Sequence, residues 1–386
     1  MQLNIEPNQH ANDRPIKVIH FVTGGFSGST SVAIELVKAT LHSDQISSTL
    51  VLRKKSSTPL DRIEKLREQN INVELVTGWS HIATIIALVK LFKKIKPDVV
   101  VCHGFSEHLW GRYAGLIAKA PHLIHVEHNS QERYTWWKLA QARWLAKFTD
   151  KIVGCSEGVR KVLLNLNFPA EKTIAINNGI DLTPYRQAET LSFQERAPNI
   201  VMAARFAKQK DHLTLIRAID LLKQQHLFPQ VYFAGAGSER HMAAAKNLTE
   251  NLQLQNQIIF LGFCSTVPTL LLQNQICVLS THYEGMPLSL SEGMAAGCAV
   301  VASEVVGVQE MIHHNIDGLL VAPQNPRALA DALAILLTDS QRAEQLANKA
   351  RARAINELSI DRMSNTYNQL FLSLSSKQST LTELNP

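Results

Sequence analysis

The chain has 386 residues, of which 45% are apolar and 19% are charged, so it is long enough for two domains that each bury a core. This composition excludes a disordered chain, and no apolar run reaches the roughly 18 residues that would predict a transmembrane helix. The formal net charge of +6 favours an anionic partner such as a nucleotide sugar or an anionic membrane. No nucleic-acid motif is visible.

The N-terminus and the cysteines indicate where the protein resides. Residues 1–15 are polar and lack the apolar core of a signal peptide, so we expect a flexible N-terminus. The five cysteines are scattered without a close pair, which favours buried free thiols over disulfides or a zinc site. We therefore expect a cytoplasmic protein.

The first half alternates strand-like and helix-like patterns. A strand at 16–23 leads into a glycine-rich loop and a helix at 31–40, an order that lets the backbone approach a phosphate. The loop lacks the G-x-G-x-x-G offsets, which disfavours an NAD-dependent oxidoreductase. Further strands at 48–53, 71–76, 98–103, 122–127 and 151–155 predict a parallel sheet covered on both faces. Ligands of such sheets bind beyond the carboxyl ends of the strands.

Two segments of the first half predict contact with a membrane surface. Residues 81–96 combine isoleucine, leucine and phenylalanine with four lysines, and residues 133–147 interleave three tryptophans and a tyrosine with arginine and lysine. Basic residues mixed with tryptophan suit the headgroup layer of an anionic bilayer. The alternative is a pair of core-facing helices with solvated basic faces. We favour membrane contact.

The second half repeats the pattern after a polar linker at 183–198. Strands at 199–204, at 231–234 and at 257–262 each end in a loop with a potential ligand-binding role, and the last of these loops holds Phe263. An apolar run at 276–279 then leads into the stretch 282–297. In this stretch Pro287 predicts the first turn of a helix, and Gly297 predicts the position after its end. Free backbone N–H groups at such a helix start bind an anion such as a diphosphate.

The stretch 282–297 resembles the Glu-x7-Glu signature of family 4 retaining glycosyltransferases, which have the GT-B fold. Its two carboxylates are Glu284 and Glu292. The segment from Arg205 to Lys210 resembles the "G-R-x-x-x-x-K" motif of the family, with alanine in place of the usual glycine. The segment ending in His128 and Asn129 resembles its "T-x-H-G" strand end, with Asn129 in place of glycine or aspartate.

The resemblance implies an α/β protein of two Rossmann-like domains facing a cleft, with a C-terminal helix that crosses back to the first domain. The expected divisions are a flexible N-terminus, an acceptor-binding domain, a linker, a nucleotide-sugar-binding domain, and a crossover helix with a tail. Their ranges are 1–15, 16–182, 183–198, 199–360 and 361–386.

The resemblance also implies residue roles. Glu284 would bind the hydroxyls of the donor sugar, and Glu292 would bind the ribose. Arg205 and Lys210 would hold the departing diphosphate, whose negative charge fixed cations stabilise. The expected catalytic residues are Glu284, His128, Arg205 and Lys210. The expected donor site adds Gly235, Gly262, Phe263, Gly285, Met286, Pro287, Leu288 and Glu292. The expected loop near the diphosphate and acceptor consists of Gly24, Gly25, Ser27, Gly28, His103 and Asn129.

The function implied is a retaining, hexosyltransferase-type glycosyltransferase that moves a sugar from a nucleotide sugar, preferably UDP-linked, to an acceptor hydroxyl. The acceptor would belong to a surface polysaccharide or a lipid-linked glycan. No Asp-x-Asp motif is visible, so we expect no metal and no cofactor. The enzyme would be peripheral at the inner face of the cell membrane. The alternatives are a GT-B-shaped nucleotide-sugar epimerase and a non-catalytic module that binds a nucleotide sugar or a lipid.

Overall fold

The computed structural model describes residues 14–26, 28–56, 58–131, 134–186 and 191–382, with side chains to 376. Two compact units are present. The first contains Met1–Val126, Trp136–Ile152 and Asn365–Pro386, and the second contains Glu127–Thr135 and Val153–Ser364. Of the predicted flexible N-terminus, residues 1–13 lie outside the described part, as do residues 187–190 of the predicted linker. Within the described part, none of the helices is long and apolar enough to cross a membrane.

A seven-stranded sheet has the order β3-β2-β1-β4-β5-β6-β7. The pairings of β1 with β2 and β4, of β2 with β3, and of β4 with β5 are parallel. The strands are β1 (Ile16–Thr23), β2 (Ile46–Lys54), β3 (Val73–Thr77), β4 (Val99–His103), β5 (His122–Glu127), β6 (Lys151–Gly154) and β7 (Thr173–Ala175). The helices between them are α1 (Gly28–Lys38), α2 (Leu60–Glu68), α3 (His81–Ile95), α4 (Glu107–Ala118), α5 (Trp136–Ala146) and α6 (Glu157–Asn165).

A six-stranded parallel sheet lies in the second unit, with the order β10-β9-β8-β11-β12-β13. Its strands are β8 (Ala197–Ala203), β9 (Val231–Ala234), β10 (Ile258–Gly262), β11 (Asn274–Leu279), β12 (Ala299–Ser303) and β13 (Leu319–Val321). The remaining helices are α7 (Thr183–Arg186), α8 (His212–Gln224), α9 (Glu239–Asn251), α10 (Val267–Gln273), α11 (Leu288–Ala295), α12 (Pro326–Thr338), α13 (Ser340–Glu357) and α14 (Ile360–Thr382).

Helices cover both faces of each sheet, so the central strands consist mainly of buried apolar residues. All five residues of β4 and all six of β11 are buried, as expected of parallel strands that carry near-continuous apolar runs. The core of the second unit joins β8, β9 and β11 to α8 and α12, and includes Leu215, Phe233 and Leu333. The predicted α/β architecture of two Rossmann-like domains is confirmed.

The strand order places a switch point in each sheet. In the second sheet the chain runs from β8 outward to β9 and β10, then returns to β11 on the other side of β8. The carboxyl ends of β8 and β11 therefore mark the position at which open α/β sheets bind ligands. In the first sheet the loops after β1 and β4 occupy the corresponding position.

The C-terminal helix returns to the first unit, as predicted. From Asn365 onward, α14 groups with the residues of the first sheet. Phe371 is fully buried and its ring centroid lies 5.9 Å from that of His20 on β1, in an edge-on arrangement. Burial of this aromatic ring fixes the helix to the sheet.

Candidate functional site

The site in the second unit is centred on an ion pair that bridges the switch point. Lys210, from the loop after β8, donates a hydrogen bond from Nζ to Oε1 of Glu284, from the loop after β11. The two side chains are only 13% and 8% exposed. Thr281 Oγ1 donates a second hydrogen bond to the same carboxylate oxygen, at 2.9 Å. The pair therefore holds one cation and one anion in fixed positions at the carboxyl edge of the sheet.

Backbone hydrogen bonds tie these two loops together. The N–H of Asp211 donates to the carbonyl of Ser280 at 3.0 Å, and the N–H of His282 donates to that of Gln209 at 2.9 Å. Lys210 and Thr281 also form an isolated antiparallel bridge. The approach of the two charged side chains is thus set by the main chain, which is the arrangement expected of a preorganised site.

Two glycines predicted to belong to the nucleotide-sugar site, Gly235 and Gly262, allow neighbouring loops to contact each other. A Cβ on Gly235 would lie under 3.0 Å from the Ala204 carbonyl oxygen, directly before Arg205. The N–H of Gly235 donates to the carbonyl of Gly262 at 2.7 Å. Gly262 has a φ of +65°, a conformation that favours glycine. The loops after β8, β9 and β10 therefore meet at one edge, where Arg205 is exposed and Phe263 is 67% exposed.

Helix α11 begins and ends where the sequence predicts. Pro287 is its N-terminal cap, and Gly297 follows its end with a φ of +75°. The helix starts at Leu288, so its N-terminus carries the partial positive charge that favours an anion. Glu292 lies more than one turn inside the helix, and burial raises its pKa to about 7. Burial raises the pKa of the Tyr185 phenol, and the nearby Glu292 carboxylate raises that pKa further.

His128 lies against the loop that carries Glu284. A Cβ on Gly285 would be under 3.0 Å from the His128 carbonyl oxygen, so only glycine allows this approach. Burial lowers the pKa of His128 to about 4, which leaves its imidazole neutral at pH 7. The side chain of the neighbouring Asn129 forms a local hydrogen bond, in which Oδ1 accepts from the N–H of Gln131 at 3.3 Å.

Three supporting residues were not predicted to have a role. Thr281 holds the Glu284 carboxylate, as described. Ser156 donates from Oγ to the Gly285 carbonyl at 2.9 Å, and Glu310 accepts a 2.6 Å hydrogen bond from the N–H of Gly158, at the start of α6. The contacts of Thr281 and Ser156 hold the loop that carries Glu284. For these two residues the sequence offers one signal, a polar residue shortly after a buried strand.

The glycine-rich loop of the first unit is closely packed at its start. A Cβ on Gly24 would lie 2.6 Å from the Arg53 carbonyl oxygen, whereas one on Gly25 or Gly28 would have open space or ordinary contacts. His103, at the end of β4, is buried with its Nε2 3.1 Å from Nδ1 of His20. Ser27 lies outside the described residues. A shared role of this loop with Glu284 stays a prediction.

The two basic segments differ in what they expose: α3 buries Leu88 and Phe92 in the core and exposes part of its apolar residues, whereas α5 exposes its tryptophans. On α5, Trp136, Trp137 and Trp144 are 80%, 59% and 46% exposed. They share one helical face with the exposed Arg143 and Lys147, while Ala142, Leu145 and Ala146 form the buried face. Ile82 and Ile86 of α3 are 72% and 52% exposed. Arg133, in the second predicted segment, lies outside the described residues. The tryptophans do not face the core.

Comparison with known proteins identifies a consistent set of relatives. A family model of glycosyl transferases group 1 matches residues 186–353, and a model of glycosyltransferase family 4 matches residues 26–184. The chain is 24% identical over 319 residues to the UDP-Gal:alpha-D-GlcNAc-diphosphoundecaprenol alpha-1,3-galactosyltransferase of Escherichia coli. The aligned region covers 78% of this chain and 81% of the relative.

Two further matches agree with the first. An N,N'-diacetylbacillosaminyl-diphospho-undecaprenol alpha-1,3-N-acetylgalactosaminyltransferase of Campylobacter jejuni is 24% identical, over 69% of this chain and 75% of the relative. The crystal structure of Anabaena Alr3699/HepE in complex with UDP-glucose has a TM-score of 0.81 and 19% identity, over 93% of this chain and all of that one. The last match shows a shared fold.

Proposed function

Since this chain is a family 4 glycosyltransferase with the GT-B fold, we propose that it transfers a hexose from a UDP-sugar to a hydroxyl of a lipid-linked glycan. The relatives from Escherichia coli and Campylobacter jejuni act on diphosphoundecaprenol-linked acceptors, and the Anabaena neighbour was solved with UDP-glucose. These relatives do not favour the epimerase or the non-catalytic binding module.

The observation that carries this proposal is the ion pair of Lys210 and Glu284 at the switch point, beside the start of α11. When the bond between sugar and diphosphate breaks, negative charge grows on the departing phosphate oxygen. Lys210, Arg205 and the N-terminus of α11 would stabilise that charge without reorganising. We propose that this arrangement works without a metal ion or a cofactor.

We propose retention of the anomeric configuration, which the family resemblance implies, and the placement of Glu284 suits a route without a covalent intermediate. Its Oε1 already accepts hydrogen bonds from Lys210 and Thr281, which makes the carboxylate a poor covalent nucleophile and a good partner for sugar hydroxyls. The acceptor would then attack from the face that the diphosphate leaves, and the departing phosphate oxygen would take the acceptor proton. His128, neutral at pH 7, would contribute a hydrogen bond beside the donor sugar rather than a proton.

We also propose that the enzyme is peripheral at the inner face of the cell membrane. The exposed face of α5 supports this, because its tryptophans and cations alternate along one side of the helix. Tryptophan rings favour the interfacial layer, and lysine and arginine favour anionic headgroups. An acceptor with a lipid anchor is presented at the same surface.

The test is a transfer assay with UDP-glucose, UDP-galactose and UDP-N-acetylhexosamines on a diphosphoundecaprenol-linked sugar, with the product anomer read by NMR. Lys210→Ala should lower kcat by about 100- to 1,000-fold, the range found when one group that stabilises a transition-state charge is removed. Lys208→Ala is the matched control, since Lys208 is an exposed cation of the same loop.

Three outcomes would contradict the proposal. Equal rates for the two lysine variants would remove the charge role of Lys210. Inversion at the anomeric carbon would refute retention. Failure of UDP to raise the melting temperature of the wild-type protein would refute a UDP-linked donor, because a ligand that binds the folded state must stabilise it.

A further inference from the structure

Two adjoining cavities run along the free edge of the first sheet. One has a volume of about 920 Å³, lies at the carboxyl ends of β2 and β3, and is lined by Lys54, Lys55, Ser56, Leu75, Val76, Thr77, Gly78 and Trp79. The other has about 330 Å³, lies between β3 and α3, and is lined by Leu75, Val76, Thr77, Ala87, Lys90, Leu91 and Lys94. Three residues of β3 line both, so the two cavities adjoin, and we call them together the β3 groove.

One end of the β3 groove is basic. Arg53 and Lys54 end β2 and Lys55 follows it, and Glu107 forms ion pairs with Arg53 and Lys55. Arg53 lies 3.4 Å from this carboxylate and is buried, so it offsets much of its charge. Lys54 is exposed and the Lys55 side chain is 44% exposed. Two cations therefore face the groove at the end of the sheet, where an anion would bind.

Apolar side chains line much of the rest of the groove, together with Thr77, Lys90 and Lys94. Leu75 and Val76 line one side, and Ala87 and Leu91 of α3 line the other. Within the described residues β3 is the terminal strand of the sheet, so no strand pairs with its outer side. The exposed indole of Trp79, 83% exposed, lies at the junction with the basic end.

Hydrogen bonds join the basic end of the groove to the glycine-rich loop. Lys55 donates from Nζ to Thr23 Oγ1 at 2.7 Å, at the end of β1. The next residue, Gly24, packs against the Arg53 carbonyl. An anion held by Lys55 would therefore lie beside the loop predicted to meet the acceptor.

We propose that the β3 groove binds a prenyl diphosphate, the lipid end of the acceptor, with the diphosphate at Lys54 and Lys55 and the first isoprene units along β3 and α3. The inference rests on the proposed function and goes beyond it by naming a binding place for the lipid. The argument is complementarity of charge and polarity: the doubly charged head would meet Lys54 and Lys55, and the apolar chain would lie against leucine, valine and alanine side chains and the methylene stems of Lys90 and Lys94. The sugar attached to the diphosphate would point towards Gly24.

The test measures binding of farnesyl diphosphate to the full chain by calorimetry, with farnesol and inorganic pyrophosphate as separate ligands. The diphosphate should bind at least about tenfold more tightly than either fragment, because each fragment lacks one half of the contacts. Lys54→Gln combined with Lys55→Gln should weaken binding by about tenfold or more. Lys65→Gln, an exposed lysine of α2 in the same unit, should bind like the wild type.

A second readout places the ligand in the groove. Farnesyl diphosphate should change the tryptophan fluorescence of the wild-type protein, and Trp79→Phe should remove most of that change while binding by calorimetry persists. Equal affinity for pyrophosphate and farnesyl diphosphate would mean a simple anion site and would overturn the inference. So would equal losses in the double-lysine and Lys65 variants.

Binding of UDP distinguishes a failure of this inference from a failure of the proposed function. UDP should raise the melting temperature of the double-lysine variant as it does that of the wild type, because the donor residues belong to the second unit. A wild-type protein that binds UDP but not farnesyl diphosphate would refute the β3 groove alone. A protein that binds neither would refute the function as well.

Discussion

Replacing Lys210 by methionine removes the cation from the ion pair at the switch point and keeps most of the side-chain volume. Glu284 would then be left 8% exposed, with Thr281 as its remaining described donor. The remaining carboxylate would lie in a largely buried position without its cation, and a buried charge that has lost its partner lowers the stability of the folded state.

Removing one partner of a buried ion pair costs about 3–5 kcal/mol, because the charge that remains is no longer compensated. Since the Glu284 side chain is 8% exposed, Lys210→Met should lower the free energy of unfolding of the second unit by about 3–5 kcal/mol at pH 7.

The double variant Lys210→Met with Glu284→Gln removes both charges, so it should be more stable at pH 7 than Lys210→Met alone. Urea unfolding is followed by circular dichroism. All five tryptophans belong to the first unit, so their fluorescence reports that unit separately and serves as an internal control. Additive losses in the double variant would refute a buried, mutually dependent pair.

Two further predictions concern Glu292 and the tryptophan face of α5. Because burial raises the pKa of Glu292 to about 7, the folded state binds the extra proton, and stability should fall between about pH 4.5 and 7. Glu292→Gln should reduce the change in the free energy of unfolding between pH 4.5 and pH 7 by about 3 kcal/mol, as measured by urea unfolding. An unchanged pH slope would contradict this prediction. Trp136→Ser with Trp144→Ser should reduce co-sedimentation with anionic liposomes several-fold. Phe228→Ser, at an aromatic residue 61% exposed in the second unit, should not, and salt-insensitive binding would refute headgroup attraction.

The sequence predicted the fold because the relevant signals are local. Apolar runs such as that of β11 and glycines at loop positions fix where strands end, and Pro287 and Gly297 fix the limits of α11 within a residue. The roles of Arg205, Lys210, Glu284 and Glu292 came from a resemblance, and the geometry of the second unit brings Lys210 and Glu284 into contact.

The supporting contacts were beyond sequence reasoning. Ser156 and Gly285 lie 129 positions apart, and their hydrogen bond depends on how two loops pack. Whether the tryptophans of α5 face the core or solvent was also open, because the helix has apolar residues on both sides. Packing decided it: alanines and a leucine fill the small space under the helix, and the large indoles lie outside.

By itself the sequence determined two parallel α/β sheets and the strand-end loops that carry the candidate residues. The signals for these features, hydrophobic periodicity and the turn preferences of glycine and proline, extend over only a few positions of the chain. The tertiary structure decided which of those loops meet. Lys210 and Glu284 are 74 positions apart, and they pair because β11 lies beside β8 in the sheet. Strand order is a property of the assembled sheet, so no local pattern carries it.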